Sequence, residues 1–183
     1  MNPDVYWLIK LNSFHTPFFD KIMTLVSDKW TWVPYYFFLA GMLSKKYRPG
    51  ALKIIAGAAL AVGLTDFLAA RIIKPLVARL RPCHVLTLHL PTGCGGKYGF
   101  VSNHSANAFA LLAFLRQYFS CFSTHTKLFL TGTLIIFATL NAFSRVYLGV
   151  HYPSDVICGA ALGVLVAHAV KGALKALEMR PSG

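Results

Sequence analysis

Three short stretches of this chain combine residue types that can hold a phosphate and attack it. Lys74–Pro82 reads K-x6-R-P, Ser102–His104 reads S-N-H, and Ser144–Asp155 reads S-R-x5-H-x3-D. Lys74, Arg81 and Arg145 carry permanent positive charge, His104 and His151 carry imidazoles, and Asp155 carries a carboxylate. Phosphoryl transfer needs charge stabilisation on the equatorial oxygens of the moving group, and fixed cations supply it. A neutral imidazole is a competent nucleophile, and a carboxylate on one ring nitrogen fixes the tautomer and leaves the other nitrogen free. Asp155, four residues beyond His151, is expected to do this. Neighbouring cations lower a histidine pKa and a carboxylate raises it, so His151 is expected to be neutral near pH 7 yet still basic. His104 opens an apolar run directly after Ser102, a strong helix N-cap residue. Free N–H groups at a helix N-terminus bind anions, and His104 adds a proton donor beside them.

Each of these residues also has an ordinary role. Ser102 can cap a helix, Asp155 can complement a helix dipole, and Lys or Arg at a helix end can snorkel to water. Arg71 and Arg79 are read as snorkelling. Lys74 and Arg81 are not, because they stand seven residues apart ahead of the other two motifs. Pro75 is expected to bend or end the helix there. With Asp155 the one carboxylate in the motifs, a two-metal site is not expected.

The elements that must position these residues are apolar and long. The chain has 183 residues, 56% of them hydrophobic and 13% charged, about half the charged fraction of an ordinary soluble domain. Windows at Trp30–Leu43, Ala51–Ile73, Asn103–Phe119, Leu128–Phe143 and Pro153–Leu174 approach the roughly 20 apolar residues of a transmembrane helix. The fold expected is all-α: a polytopic membrane bundle of five strong spans, preceded by an N-terminal amphipathic helix or a sixth span. Residues 1–29 form that amphipathic segment and residues 30–178 the core. Asp4, Lys10, Asn12, His15, Asp20, Lys21 and Asp28 make the N-terminus too polar for a signal peptide.

The net charge is +12, from 18 Lys plus Arg against 6 Asp plus Glu. No basic, aromatic-laced stripe accompanies it, so nucleic acid is not an expected partner; membrane lipids and an anionic lipid substrate are. Lys45, Lys46 and Arg48, then Arg116 and Lys127, then Lys171, Lys175 and Arg180 fall on one side. The positive-inside rule makes that side cytoplasmic, with the three motifs facing outward. The Gly-rich segment Arg81–Val101 joins the first two motifs and could cover the site. It contains Cys83 and Cys94, for which an outward location permits either a disulfide or two free thiols. Cys158 reads as a buried, inert thiol, and the Gly159/Gly163 pair as a helix-packing feature. Asp66, within an apolar span, is expected to hold Arg71 or a catalytic arginine, and Asn141, one turn before Arg145, to support that residue.

The three motifs together resemble the type 2 phosphatidic acid phosphatase family, which includes membrane lipid phosphatases and soluble vanadium haloperoxidases. Lys74, Arg81 and Pro82 match the first family motif, Ser102 and His104 the second, and Ser144, Arg145, His151 and Asp155 the third. Val101 and Asn103 depart from the usual Pro and Gly of P-S-G-H. The resemblance implies a helical bundle and a reaction without metal or other cofactor. It implies that His151 attacks phosphorus, Asp155 orients it and His104 protonates the leaving oxygen. Lys74, Arg81, Ser102, Asn103 and Arg145 then bind the phosphate. Undecaprenyl pyrophosphate is the substrate expected from the small size and outward site, with phosphatidylglycerophosphate or phosphatidate as alternatives. A bacterial inner membrane is the expected location. The non-enzymatic alternative is an anion transporter or channel, which would not need two histidines and Asp155 at these spacings.

Overall fold

The computed structural model describes residues 2–178, so Arg180 lies outside the described residues. The regular elements described are helical, and the one strand-like feature is an isolated antiparallel bridge between Leu80 and Tyr98. Two short helices come first: α1 (Pro3–Asn12), capped by Asn2, and α2 (Pro17–Ser27), capped by Thr16. At 1.5 Å per residue they are about 15–17 Å long, half the thickness of a hydrocarbon core. They pack against α7 and α8, and each is shorter than a helix needs to be to cross a bilayer alone.

The bundle is built from α3 (Val33–Tyr47), α4 (Gly50–Phe67), α5 (Lys74–Val77), α6 (Asn103–Arg116), α7 (Thr124–Tyr147) and α8 (Pro153–Glu178). They coincide with the five apolar windows. Helix α4 runs through a π-helical segment, Leu68–Ile73, into α5, giving one 28-residue helix, Gly50–Val77. Pro75 is the physical reason for the widened turn. It has no N–H to offer the preceding carbonyls and its ring crowds them, and a π-bulge absorbs such a defect. Gly50–Val77, Thr124–Tyr147 and Pro153–Glu178 are long and apolar enough to cross a membrane; α3 and α6 are shorter. Leu52, Phe37, Leu76 and Leu165 are each about 70–80% exposed on the outer surface, as a lipid-facing wall requires. Cys158, expected to be buried, is exposed on α8, because its face of the helix points outward.

Helix α6 is the central strut, packed against α4, α7 and α8. Its contact with α8 is backbone to backbone. A Cβ on Gly159 would lie 2.6 Å from the Ser102 carbonyl oxygen, and one on Gly163 would overlap the Ala106 carbonyl oxygen. The small-residue pair therefore sets how closely the second and third motifs approach. The main core fills the space between these helices with Leu39, Leu43, Ile54, Phe114, Leu130, Leu134, Phe137 and Val170.

Basic residues at the end of α3 and on α8 meet at one end of the bundle. Tyr47 at the end of α3 hydrogen-bonds the Tyr118 carbonyl, and Lys171 of α8 lies 3.7 Å over the Tyr118 ring. The three motifs, α1 and α2 occupy the other end.

Candidate active site

His151 sits in the turn Leu148–Tyr152 between α7 and α8. Gly149, at φ +71, takes the left-handed conformation that bends the chain, and the His151 N–H then donates to the Arg145 carbonyl at 3.2 Å. The imidazole is 1% exposed, and its Nδ1 lies 3.4 Å from Oδ2 of Asp155. Burial holds the His151 pKa down to about 4, Arg81 and Arg145 add to the effect, and Asp155 opposes it. The ring is therefore neutral at pH 7.

Asp155 is fully buried in the first turn of α8. Its Oδ2 accepts from the Tyr152 N–H at 3.0 Å and its Oδ1 from Nη1 of Arg79 at 2.8 Å. Gly99 packs against it, since a Cβ there would stand 3.0 Å from Oδ2. The segment carrying Gly99 is held by two backbone bonds, Gly99 N–H to the Arg79 carbonyl (2.9 Å) and Arg81 N–H to the Lys97 carbonyl (3.1 Å). The long segment between the first two motifs thus folds back onto the site.

Ser102 precedes α6 as its N-cap residue, but its hydroxyl makes no capping bond. Ser102 is fully buried and its Oγ has no protein partner; Nε of Arg145 is likewise buried and unpartnered. Arg145 donates through Nη1 to the hydroxyl of Ser27, at the C-terminal end of α2. Ser27 also offers its carbonyl to Nε2 of His104 at 3.2 Å. Arg81 reaches the Tyr98 and Cys94 carbonyls at 3.4 Å each. Cys83 and Cys94 are joined in a disulfide, Cα–Cα 5.6 Å, which ties down the carbonyl that Arg81 uses.

Asn103, at the position that departs from the family pattern, bridges two charged groups. Its Oδ1 accepts from Nζ of Lys74 at 2.5 Å and its Nδ2 donates to Asp66 at 2.8 Å. Asp66 therefore does not hold an arginine, as expected, but the amides of Asn103 and Asn107, the latter at 2.9 Å. It faces the start of α6, whereas Arg71 is exposed. Asn141 also departs from expectation. Its amide donates to the Phe137 carbonyl one turn back, at 3.3 Å, so its side chain turns away from Arg145.

Two spaces meet here. A polar cavity of about 350 Å³ is lined by Ser27, Arg81, Cys94, Gly95, His104 and Arg145 among others. An apolar groove of about 530 Å³ runs between α3, α4, α6 and α7, past Tyr36, Leu39, Val62, Ala108, Leu111 and Phe137. Ser27 and His104 line both. Val150, the chain neighbour of the buried His151, forms part of the polar cavity's wall.

The structure brings Lys74, Arg81, Ser102, Asn103, His104, Arg145, His151 and Asp155 to one end of the bundle. Sequence reasoning missed Ser27, Asp4 and Arg79. Arg79, which by sequence reads as snorkelling, bonds Asp4 at 2.6 Å and Asp155 at 2.8 Å through its guanidinium. Its position two residues before Arg81, beyond a helix ending at Val77, was the available signal. A side chain there points back to the site and not along a membrane helix.

A family model described as the PAP2 superfamily matches residues 50–177. The chain is similar to a lipid A 4'-phosphatase of Bacteroides thetaiotaomicron, 34% identical over 167 residues, 87% of this chain and 72% of that one. It is similar to a lipid A 4'-phosphatase of Porphyromonas gingivalis at 36% over 170 residues, 88% and 69% of the two chains. Phosphatidylglycerophosphatase B of Bacillus subtilis matches at 36% over 112 residues, 59% and 52%. In fold it resembles the crystal structure of a transmembrane PAP2 type phosphatidylglycerolphosphate phosphatase from Bacillus subtilis, with a TM-score of 0.69 at 21% identity, covering 100% and 90% of the chains. The crystal structure of Aquifex aeolicus LpxE gives 0.60 at 23% identity, covering 92% and 94%.

Proposed function

We propose, for a chain that belongs to the PAP2 superfamily and is a membrane lipid phosphatase of that type, that it removes a phosphate monoester from a lipid headgroup through a phosphohistidine on His151. Nε2 of His151 attacks phosphorus while Asp155, 3.4 Å from Nδ1, orients the ring. The bond between phosphorus and the lipid oxygen breaks, and His104 gives that oxygen a proton. Water then attacks the phosphohistidine, His104 takes its proton, and phosphate leaves with His151 restored. Lys74, Arg81 and Arg145, with the Ser102 hydroxyl and the free N–H groups of α6, stabilise the equatorial oxygens. No step calls for a metal.

One observation carries this reading: His104 lies on the wall shared by the polar cavity and the apolar groove. Phosphate binds on one side of it and a lipid tail on the other, so the bond to be broken falls beside the proton donor. The lipid A 4'-phosphatases among its relatives favour lipid A 4'-phosphate as substrate over the undecaprenyl pyrophosphate expected from the small size and outward site. The Cys83–Cys94 disulfide on the active face, with Cys121 a free thiol at the opposite end, supports an active face in an oxidising compartment, outside the inner membrane.

Phosphate release in EDTA from lipid A, undecaprenyl pyrophosphate, phosphatidylglycerophosphate and phosphatidate tests this directly. Lipid A is expected to be hydrolysed fastest, and His151→Ala to abolish release from every lipid. Preference for another lipid overturns the substrate, and activity in His151→Ala overturns the nucleophile.

A further inference from the structure

The N-terminal helix reaches Asp155, the carboxylate beside His151, through two ion pairs. Asp4, in the first turn of α1, accepts from Nη2 of Arg79 at 2.6 Å, and Nη1 of Arg79 donates to Asp155 at 2.8 Å and to the Ser154 hydroxyl at 2.7 Å. Asp4 also accepts from the Ser154 N–H at 2.9 Å and the Ser154 hydroxyl at 2.5 Å. The guanidinium lies 4.0 Å over the Tyr152 ring. Both sides of the fork are thereby engaged, each on a different carboxylate, with an aromatic face beneath. Leu8 of the same helix is fully buried against Val146 and Tyr152, so α1 is seated on the turn that carries His151.

We propose that Arg79 and Asp4 are positioning residues for Asp155, making α1 part of the catalytic apparatus. This rests on the reading of His151 as nucleophile. A fully buried carboxylate with no partner for Oδ1 would rotate to find one, or take up a proton. Arg79 holds Oδ1, so Oδ2 stays toward His151. Asp4 holds Arg79, whose charge would otherwise be drawn to a phosphate in the site. Arg79 is thus kept off the substrate, and Arg81, two residues on, lines the cavity. Arg79 also tempers the pull of Asp155 on the imidazole. The other charged or titratable groups near His151 and Asp155 are Tyr152, Arg81, Arg145, Lys74 and His104; all of these but Tyr152 belong to the phosphate-binding or proton-transfer set.

The test uses the full chain in detergent, with Arg79→Ala, Arg79→Lys and Asp4→Asn, the lipid panel above as substrates and inorganic vanadate as the phosphate-site probe. Arg79→Ala is expected to lower kcat roughly 10–100-fold, the range for partners that orient metal-bound histidines, with vanadate affinity unchanged. Its acid limb in kcat/KM moves to higher pH, because an unneutralised Asp155 favours the imidazolium. Added guanidinium restores part of kcat and returns the limb. Asp4→Asn acts in the same direction by a few-fold. Arg79→Lys, which keeps the charge but cannot fork, falls between wild type and Arg79→Ala, and keeps the comparison open if Arg79→Ala does not fold. The proposal is overturned if Arg79 variants lose vanadate affinity with kcat intact, or if they match wild type. Radiolabelled phosphate trapped on His151 in the wild type separates the two readings. Its absence counts against the phosphohistidine, whereas a silent Arg79 with labelled His151 counts against the positioning pair alone.

Discussion

The backbone N–H of Ser102 donates to the backbone carbonyl of Asp155 at 3.0 Å, so the motif at Ser102–His104 and the motif carrying His151 and Asp155 are joined main chain to main chain. Side-chain rotation cannot loosen such a link. A side-chain bond, from the Ser105 hydroxyl to the Val156 carbonyl at 2.7 Å, adds to it one turn along α6. The distance between the proposed phosphate cradle at Ser102 and the proposed nucleophile His151 is set by how closely α6 and α8 approach.

That approach depends on glycine. Gly159→Ala places a methyl group 2.6 Å from the Ser102 carbonyl oxygen, a backbone atom that cannot rotate away. Overpacking costs about 1–3 kcal/mol, and here it also pushes Ser102 from Asp155. The variant should melt lower and bind vanadate more weakly than wild type. Gly41→Ala and Gly132→Ala, where a Cβ meets nothing within 4 Å, serve as controls and should match or exceed wild-type stability, since alanine is the better helix former. Equal behaviour of all three would refute the packing argument.

Gly99→Ala tests the covering segment. The added Cβ would stand 3.0 Å from Asp155 Oδ2 and 3.3 Å from Arg81 Cγ. Asp155 is held by Arg79 and the Tyr152 N–H, so the segment must lift instead. Activity should fall by more than tenfold, on the scale of roughly 1.4 kcal/mol per factor of ten, while the helical circular dichroism stays unchanged. Undiminished turnover would mean that the segment is not closed over the site during catalysis.

The disulfide should matter for both stability and phosphate affinity. Closing a short loop stabilises a fold by roughly 2–4 kcal/mol, and the Cys94 carbonyl is an anchor for Arg81. Reduction, or a Cys83→Ser/Cys94→Ser double variant, should lower the melting temperature and raise KM more than it lowers kcat. Unchanged KM in the reduced protein would separate the bridge from Arg81.

The buried imidazole predicts a pH dependence of stability. Below about 6.5 an unfolded histidine takes up a proton, whereas folded His151 stays neutral until about pH 4. The unfolded state binds more protons in that window, so stability falls as pH drops from 6.5 toward 4. The His151 contribution is on the order of 3 kcal/mol at most. Thermal melts of His151→Gln should lose less stability across that window than wild type, and parallel curves would mean that His151 is protonated in the fold.

The helical bundle and the three motifs were legible in the sequence because both are local patterns: apolar runs of span length, and charged or titratable residues at fixed short spacings. The parts that were not legible depend on long-range pairing. Asp66 met Asn103 and Asn107 instead of an arginine, since the side chain that fills the usual glycine position intervened. Arg79 reads as a snorkelling residue because its two partners lie 75 and 76 residues away, where no spacing rule reaches. Ser27 carries no motif at all; only the docking of α2 brings its hydroxyl to Arg145 and its carbonyl to His104.

His104 is where the two spaces of the site join, and its role can be isolated by leaving group. An alkoxide leaving from a lipid phosphate needs a proton in the transition state, and general acid catalysis contributes roughly 10²–10⁴-fold. 4-Nitrophenolate leaves without one. His104→Gln should therefore be crippled in the first step on a lipid phosphate but not on 4-nitrophenyl phosphate. The second step still lacks its base, so the phosphoenzyme accumulates. Stopped-flow absorbance on the variant should show a burst of nitrophenolate equal to the enzyme concentration, followed by slow turnover, with the wild type showing a steady rate. Equal losses on both substrates and no burst would leave His104 as a phosphate ligand, and the proton for the lipid oxygen would have to come from another group.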